Sequence, residues 1–290
     1  MTSLSFDSSP SLSTLNLKVL TTRKPTHTKG ALPQLRAELK GVRFEPEDQA
    51  LFHRVCRVPK GEVMPLTAPH ILAAPLHLAM LVHKDFPISL LGLVHLRNRI
   101  VSHHPIPADA EVDLMCHIGP RHDTDRGMEF EIKTEVRTHE GLMWEEVSTV
   151  LRRVPKPKGA KPNRPPATPG SPAGVERSVI WRVPADTGRQ YARVSGDYNP
   201  IHLLAVSAKL FGFKRAIAHG MWVVARAVAE LEDEVTALNG PVSLTTDFKT
   251  PVFLPGKILF SSRRQGPETH FDVTNSAGSK PHIKGVLSPA

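Results

Sequence analysis

The sequence predicts an α+β protein of two similar halves, each an antiparallel sheet wrapped around a central helix. Three observations predict it. The chain has 290 residues, more than one hydrophobic core usually serves, which favours two domains. A helical pattern followed by strand-like runs occurs twice. Between the two occurrences, PKPKGAKPNRPPATPGSPAG from Pro155 to Gly174 carries no apolar periodicity, as expected of a semi-extended linker.

The first thirty residues are rich in Ser and Thr, carry Lys18, Arg23, Lys24 and Lys29 against one acid, Asp7, and lack a continuous apolar run. They are read as a disordered tail, with an organelle presequence as the alternative and secretion disfavoured. Residues 31–154 form the first expected domain. In it a short helix is expected from Pro75 to Val82. Strands follow, because Val112, Leu114, Cys116 and Ile118 alternate with polar neighbours, as do Met128, Phe130, Ile132, Thr134 and Val136. A polar loop, Gly119 to Arg126, separates the two, and His139, Glu140 and Gly141 mark a turn into Leu142 to Leu151. His95, Arg97, Asn98 and Arg99 in GLVHLRNRIV read as the exposed side of a further strand.

Residues 175–290 form the second expected domain. Met221, Val224, Val228, Leu231 and Val235 recur at helical spacing. Four strand-like runs come next, Val242 to Phe248, Lys257 to Arg263, His270 to Thr274 and His282 to Leu287, divided by Gly and Pro clusters.

Hydrophobic residues make up 40% of the chain and charged residues 22%, values of a globular protein. Lys plus Arg exceed Asp plus Glu by 37 to 28, which favours an anionic partner. Nucleic acid is disfavoured, since aromatic residues are only 6% and the basic ones are scattered. Apolar runs fall short of the roughly twenty residues that span a bilayer. Cys56 and Cys116 have no paired spacing, so no metal or redox motif is expected, and a reducing, cytoplasmic location fits.

Chemistry concentrates in Tyr191 to Trp222, YARVSGDYNPIHLLAVSAKLFGFKRAIAHGMW. Gly196 and Asn199-Pro200 are turn formers that would hold Asp197 and His202 on a constrained loop entering a short helix. A carboxylate and an imidazole so held can share one water, supplying the base and the proton donor that addition of water to an unsaturated carbon needs. Which of the two takes the proton is open at this stage. Gly220 opens the apolar helix, so its N–H is an unpaired donor at the positive end of the helix dipole, able to meet an oxyanion.

SGDYNPIH followed by GFKRAIAHGM, with Asp247 to Val252 beyond, resembles the motif of the MaoC-like (R)-specific enoyl-CoA hydratases, which have the hotdog fold. The resemblance implies two fused hotdog-like domains, the first lacking the motif and shaping an acyl tunnel. It implies Asp197 and His202 as the water-activating pair, Gly220 as the oxyanion donor and Asn199 as the residue orienting the loop. The implied reaction is reversible hydration of a trans-2-enoyl thioester to an (R)-3-hydroxyacyl thioester. No metal or redox cofactor is implied; CoA or acyl carrier protein enters as part of the substrate. Pairing of hotdog domains is expected within the chain, with a homodimer as a further expectation.

Lys214 and Arg215 are candidates for the phosphates of CoA, with Lys249 behind them, while His219 reads as a brace of its loop. Ala225 stands where some family members carry a serine. Two rival readings stay open: a thioesterase of the same fold, and a non-catalytic acyl-thioester binding subunit.

Overall fold

The computed structural model of the chain describes residues 2–25, 28, 30–153 and 174–290. All of the expected linker except Gly174 lies outside the described residues. In the first part of the chain the elements are β1 (Thr2–Phe6), α1 (Leu12–Thr21), β2 (Leu35–Arg43), α2 (Pro46–Cys56), α3 (Ala68–Val82), β3 (Leu93–Ser102), β4 (Glu111–Thr124), β5 (Gly127–Thr138) and β6 (Gly141–Arg153). In the second they are β7 (Arg177–Val183), α4 (Thr187–Ser195), α5 (Pro200–Leu203), α6 (Ala205–Leu210), α7 (Gly220–Glu230), α8 (Glu232–Ala237), β8 (Val242–Phe248), β9 (Gly256–Gln265), β10 (Glu268–Asn275) and β11 (Pro281–Pro289).

The strands form one eleven-stranded sheet in the order β1-β2-β4-β5-β6-β3-β8-β11-β10-β9-β7. Within it the two halves have the same topology. In each, the strand after the central helix, β3 or β8, lies beside the last strand of a three-stranded meander, and the strand before the helix, β2 or β7, lies beside the first. The halves meet where β3 pairs antiparallel with β8, from Arg97 opposite Asp247 to Ser102 opposite Val242. The expected order of a helix followed by strands holds in each half but omits the strand that precedes each helix.

Period-two alternation directs the cores. On β5, Phe130, Ile132, Thr134 and Val136 are buried while Lys133 and Glu135 are not. They face α3, whose Leu76 and Met80 are wholly buried. In the second half α7 buries Met221, Trp222, Val224, Ala225 and Val228 against Phe260, Phe271 and Val273 of the sheet. The Trp222 Nε1–H donates to the Val55 carbonyl of α2 at 3.0 Å, tying the two halves together.

Several expectations need correction. Residues 2–21 are not a tail: β1 pairs parallel with β2, and α1, N-capped by Ser11, buries Leu15. Elements this short are stable only when docked. The first central helix begins at Ala68, two turns before Pro75, which stands inside it. Burial of its apolar surface in the sheet outweighs the ~3 kcal/mol that an interior proline costs. The polar stretch 119–126 is mostly strand, because β4 continues to Thr124 across a register shift between Ile118 and Arg121. The helix expected through Val235 breaks at Leu231 into α7 and α8.

Candidate active site

The motif residues lie on the loops between α4 and α7. Helix α4 ends at Gly196, whose φ of +69° is the left-handed conformation glycine adopts at little cost. Its N–H donates to the Ala192 carbonyl at 2.9 Å, closing the helix. The chain then turns through Asp197, whose N–H donates to Ser195 Oγ (3.3 Å) and whose Oδ1 accepts from the Asn199 N–H (3.0 Å). Asn199 caps α5 by accepting from the Ile201 N–H at 3.3 Å, and Pro200 occupies the first turn, where a missing N–H is tolerated. A four-residue helix thus holds His202 in one orientation.

The His202 ring is fixed at one edge and one face. Its Nδ1–H donates to the Ile217 carbonyl at 2.8 Å, so Nε2 carries the lone pair and stands 3.9 Å from Asp197 Oδ2. The His219 ring stacks on it with centroids 3.7 Å apart. His219 donates from Nε2 to the Asp197 backbone carbonyl at 3.0 Å, bracing the loop, and its Nδ1 is buried without a partner among the described residues. Burial holds His202 below its ordinary pKa despite the pull of Asp197. Burial and the adjacent His202 bring His219 down to about 3. For Asp197 burial opposes ionisation, yet half of its side chain (52%) meets solvent, and the two imidazoles and the Asn199 N–H hold the carboxyl below the usual carboxylate value. Near neutral pH the pair therefore presents a carboxylate and an unprotonated Nε2, two acceptors a few ångströms apart.

Gly220 is the first residue of α7, with His219 as its N-cap. Among the described residues nothing accepts from its N–H. A Cβ at this position would stand 2.6 Å from the Phe248 ring, so glycine lets that ring pack directly against the helix N-terminus. The geometry brings Asp197, Asn199, His202 and His219 together; Gly220 follows His219 directly.

The basic candidates are placed differently. Lys214 and Arg215 are exposed, and Arg215 donates to the Pro255 carbonyl at 3.3 Å with its guanidinium 5.8 Å from the Phe253 ring centroid. Lys249 is held by Asp247 at 2.9 Å. Asp197, His202 and His219 present ligand-type atoms within 4.8 Å of one another, but His219 Nε2 is committed to a carbonyl.

The reading of β3 as having a uniform polar side was wrong. Arg97 and Arg99 line an open depression of about 450 Å³ on the sheet face away from the helices. A register shift between His95 and Arg97 turns His95 inward, 4.5 Å from the Phe248 ring. There it joins residues that sequence reasoning passed over: His70 and His77 of α3 and Glu146 of β6. The available signal was Glu146, a charged residue at an inward position of an alternating strand.

Residues 160–286 match the model of the MaoC like domain. This chain carries a MaoC-like domain. Across its length it is similar to 3-hydroxyacyl-thioester dehydratase X of Mycobacterium tuberculosis, 29% identical over 259 residues, which are 88% of this chain and 90% of that protein. The crystal structure of HtdX from the same organism superposes with a TM-score of 0.75 at 26% identity, covering 88% of this chain and all of that one (100%). A conserved protein of M. tuberculosis described as a double hotdog fold superposes with a TM-score of 0.54 at 12% identity, over 87% and 94% of the two chains, a likeness of fold alone. The MaoC-like domain thus forms the second of two hotdog halves, and the Asp197–His202 loop lies within it.

Proposed function

We propose that this protein adds water across the double bond of trans-2-enoyl thioesters to give (R)-3-hydroxyacyl thioesters, and catalyses the reverse dehydration. The observation that carries it is the Asp197–His202 pair. With Nδ1 spent on Ile217, His202 Nε2 faces Asp197 Oδ2 across 3.9 Å. That is too long for a direct hydrogen bond, and a water beside the pair can donate to both.

In the hydration direction one of these acceptors takes a proton as the water oxygen bonds to C3. The C2–C3 π electrons move towards the carbonyl, whose oxygen gains charge and is met by the Gly220 N–H at the N-terminus of α7. The proton then passes to C2, so one water is consumed and none of its atoms is left on the protein. Delivery of both pieces from one side makes the addition syn, and the (R) product is the outcome that the family resemblance implies. The dehydratase name of the relative supports the same chemistry. CoA or acyl carrier protein enters as substrate, and the chain's own residues supply the acid–base chemistry.

The test follows the enoyl-thioester absorbance of crotonyl-CoA with wild type, Asp197→Asn and His202→Ala, together with free-thiol detection and product chirality. Loss of absorbance without thiol release, giving the (R)-alcohol and slowed at least about a hundredfold in both variants, is expected. Thiol release would make the protein a thioesterase, and binding without turnover an acyl-thioester binder.

A further inference from the structure

The inner face of the N-terminal half carries a buried polar cluster that the reaction above does not use. Glu146 is 1% exposed. It accepts from the His70 Nδ1–H at 2.8 Å and from Asn98 Nδ2 at 2.5 Å. Asn98 also donates to Ser148 Oγ at 3.1 Å. Both donors of its amide are thereby used, so Oδ1 is fixed as an acceptor; it is buried and has no partner among the described residues. The His95 ring stacks on His70 with centroids 6.5 Å apart, and its Nε2 is likewise buried and unpartnered. The cluster around Glu146 and His70 thus holds two unmet polar atoms, where buried polar atoms are ordinarily satisfied.

The cluster lies beside the candidate active site. His95 is one ring away from Phe248 (4.5 Å), and Phe248 closes on the N-terminus of α7 at Gly220. His70, near the start of α3, is close enough to Asp197 to feel its charge.

We propose that Asn98 Oδ1 and His95 Nε2 form a second recognition point of this site, contributed by the N-terminal half, for a hydroxyl group carried on the acyl chain beyond the reacting carbons. A hydroxyl suits the pair because it donates its one hydrogen to Oδ1 while its oxygen accepts from the Nε2–H tautomer of the neutral imidazole. A methylene in its place leaves both atoms unmet, and a site built to bond a hydroxyl discriminates against a chain that lacks one. The proposal rests on the hydratase reading for the placement of the thioester.

The experiment measures kcat/KM for pairs of trans-2-enoyl-CoA substrates of increasing length, one of each pair with a terminal hydroxyl and one without. Wild type is compared with Asn98→Leu and His95→Phe. At one length the hydroxylated chain is expected to be preferred by about tenfold or more, and the preference is expected to fall to near unity in both variants. A wild-type ratio near unity at every length overturns the proposal, and the two atoms then hold only water; this outcome needs no variant to fold. Crotonyl-CoA is the control. If it turns over and the ratio is flat, only this proposal fails. If it does not turn over, the reaction reading fails, and calorimetric affinities of the saturated hydroxylated and unsubstituted acyl-CoA pairs decide the recognition point by the same ratio.

Discussion

Replacing Gly188 by alanine tests whether the position of His202 sets the rate. Gly188 is the second residue of α4, and a Cβ there would stand 2.0 Å from the His202 carbonyl oxygen and 3.3 Å from a Leu254 methyl. The first contact is with backbone, so no rotamer change relieves it. Reaching even 3.0 Å, below which a Cβ is essentially never found, moves α5 and α4 apart by about 1 Å. That shift strains the 2.8 Å bond from His202 Nδ1 to Ile217 and carries Nε2 away from Asp197. A misplacement of about 1 Å costs roughly 10²-fold in rate, equivalent to about 2.7 kcal/mol of barrier. Without the clash the sign would be the opposite for stability, because alanine in a helix is favoured over glycine by about 0.5–1 kcal/mol. The assay is kcat on crotonyl-CoA alongside the thermal midpoint. A variant with wild-type kcat and a raised midpoint would refute the reasoning. Gly220→Ala is a useful contrast, since its close neighbour at 2.6 Å is the Phe248 side chain, which can turn.

Two more predictions concern the loop and the buried imidazoles. Asn16 of α1 donates to the Gly196 carbonyl at 3.0 Å, and Leu12 packs where a Gly196 Cβ would stand. Asn16→Leu removes that support of the Asp197 loop and is expected to lower kcat by about fivefold, the equivalent of one hydrogen bond of roughly 1 kcal/mol, with KM little changed; an unaltered kcat would show that α1 merely covers the surface. Burial lowers His77 and His95 to about 4 and, with His202 beside it, His219 to about 3. All three are neutral when folded, whereas the unfolded chain takes up protons below about pH 6.5. Their contribution to stability is therefore complete above pH 6.5 and declines as pH falls towards 4. His70, raised by Glu146 despite its burial, acts in the opposite sense but is one group against three. The urea midpoint at pH 5 is expected below that at pH 7, and equal midpoints would count against buried neutral imidazoles.

The motif was legible because its chemistry is local. Gly196, Asn199 and Pro200 each have a conformational preference strong enough to show in sequence, and together they shape the turn that holds Asp197 near His202. The four strands after α8 were legible for a similar reason, since they are divided by Gly and Pro breaks, whereas β7 was not. Elements stabilised by distant partners were not. Neither α1 nor β1 has a pattern strong enough to stand out, and each is held by contacts with β2, α3 and Gly196. Pro75 hid the first two turns of α3, since local propensity counts the lost hydrogen bond and not the burial that offsets it.

The sequence by itself determined that two helix-and-sheet halves exist, and that a carboxylate, an imidazole and a helix-opening glycine occur together in the second. Those features follow from periodicity and turn chemistry, which act over a few residues. Only the tertiary structure decided that β3 pairs with β8 to merge the halves into one sheet, and that a register shift turns His95 from the outer face to the inner one. It also decided that His70, Asn98 and Glu146 gather beside Phe248 and Gly220. Pairing, register and the meeting of buried polar groups depend on contacts between residues far apart in the chain, and those are settled only when the whole core closes.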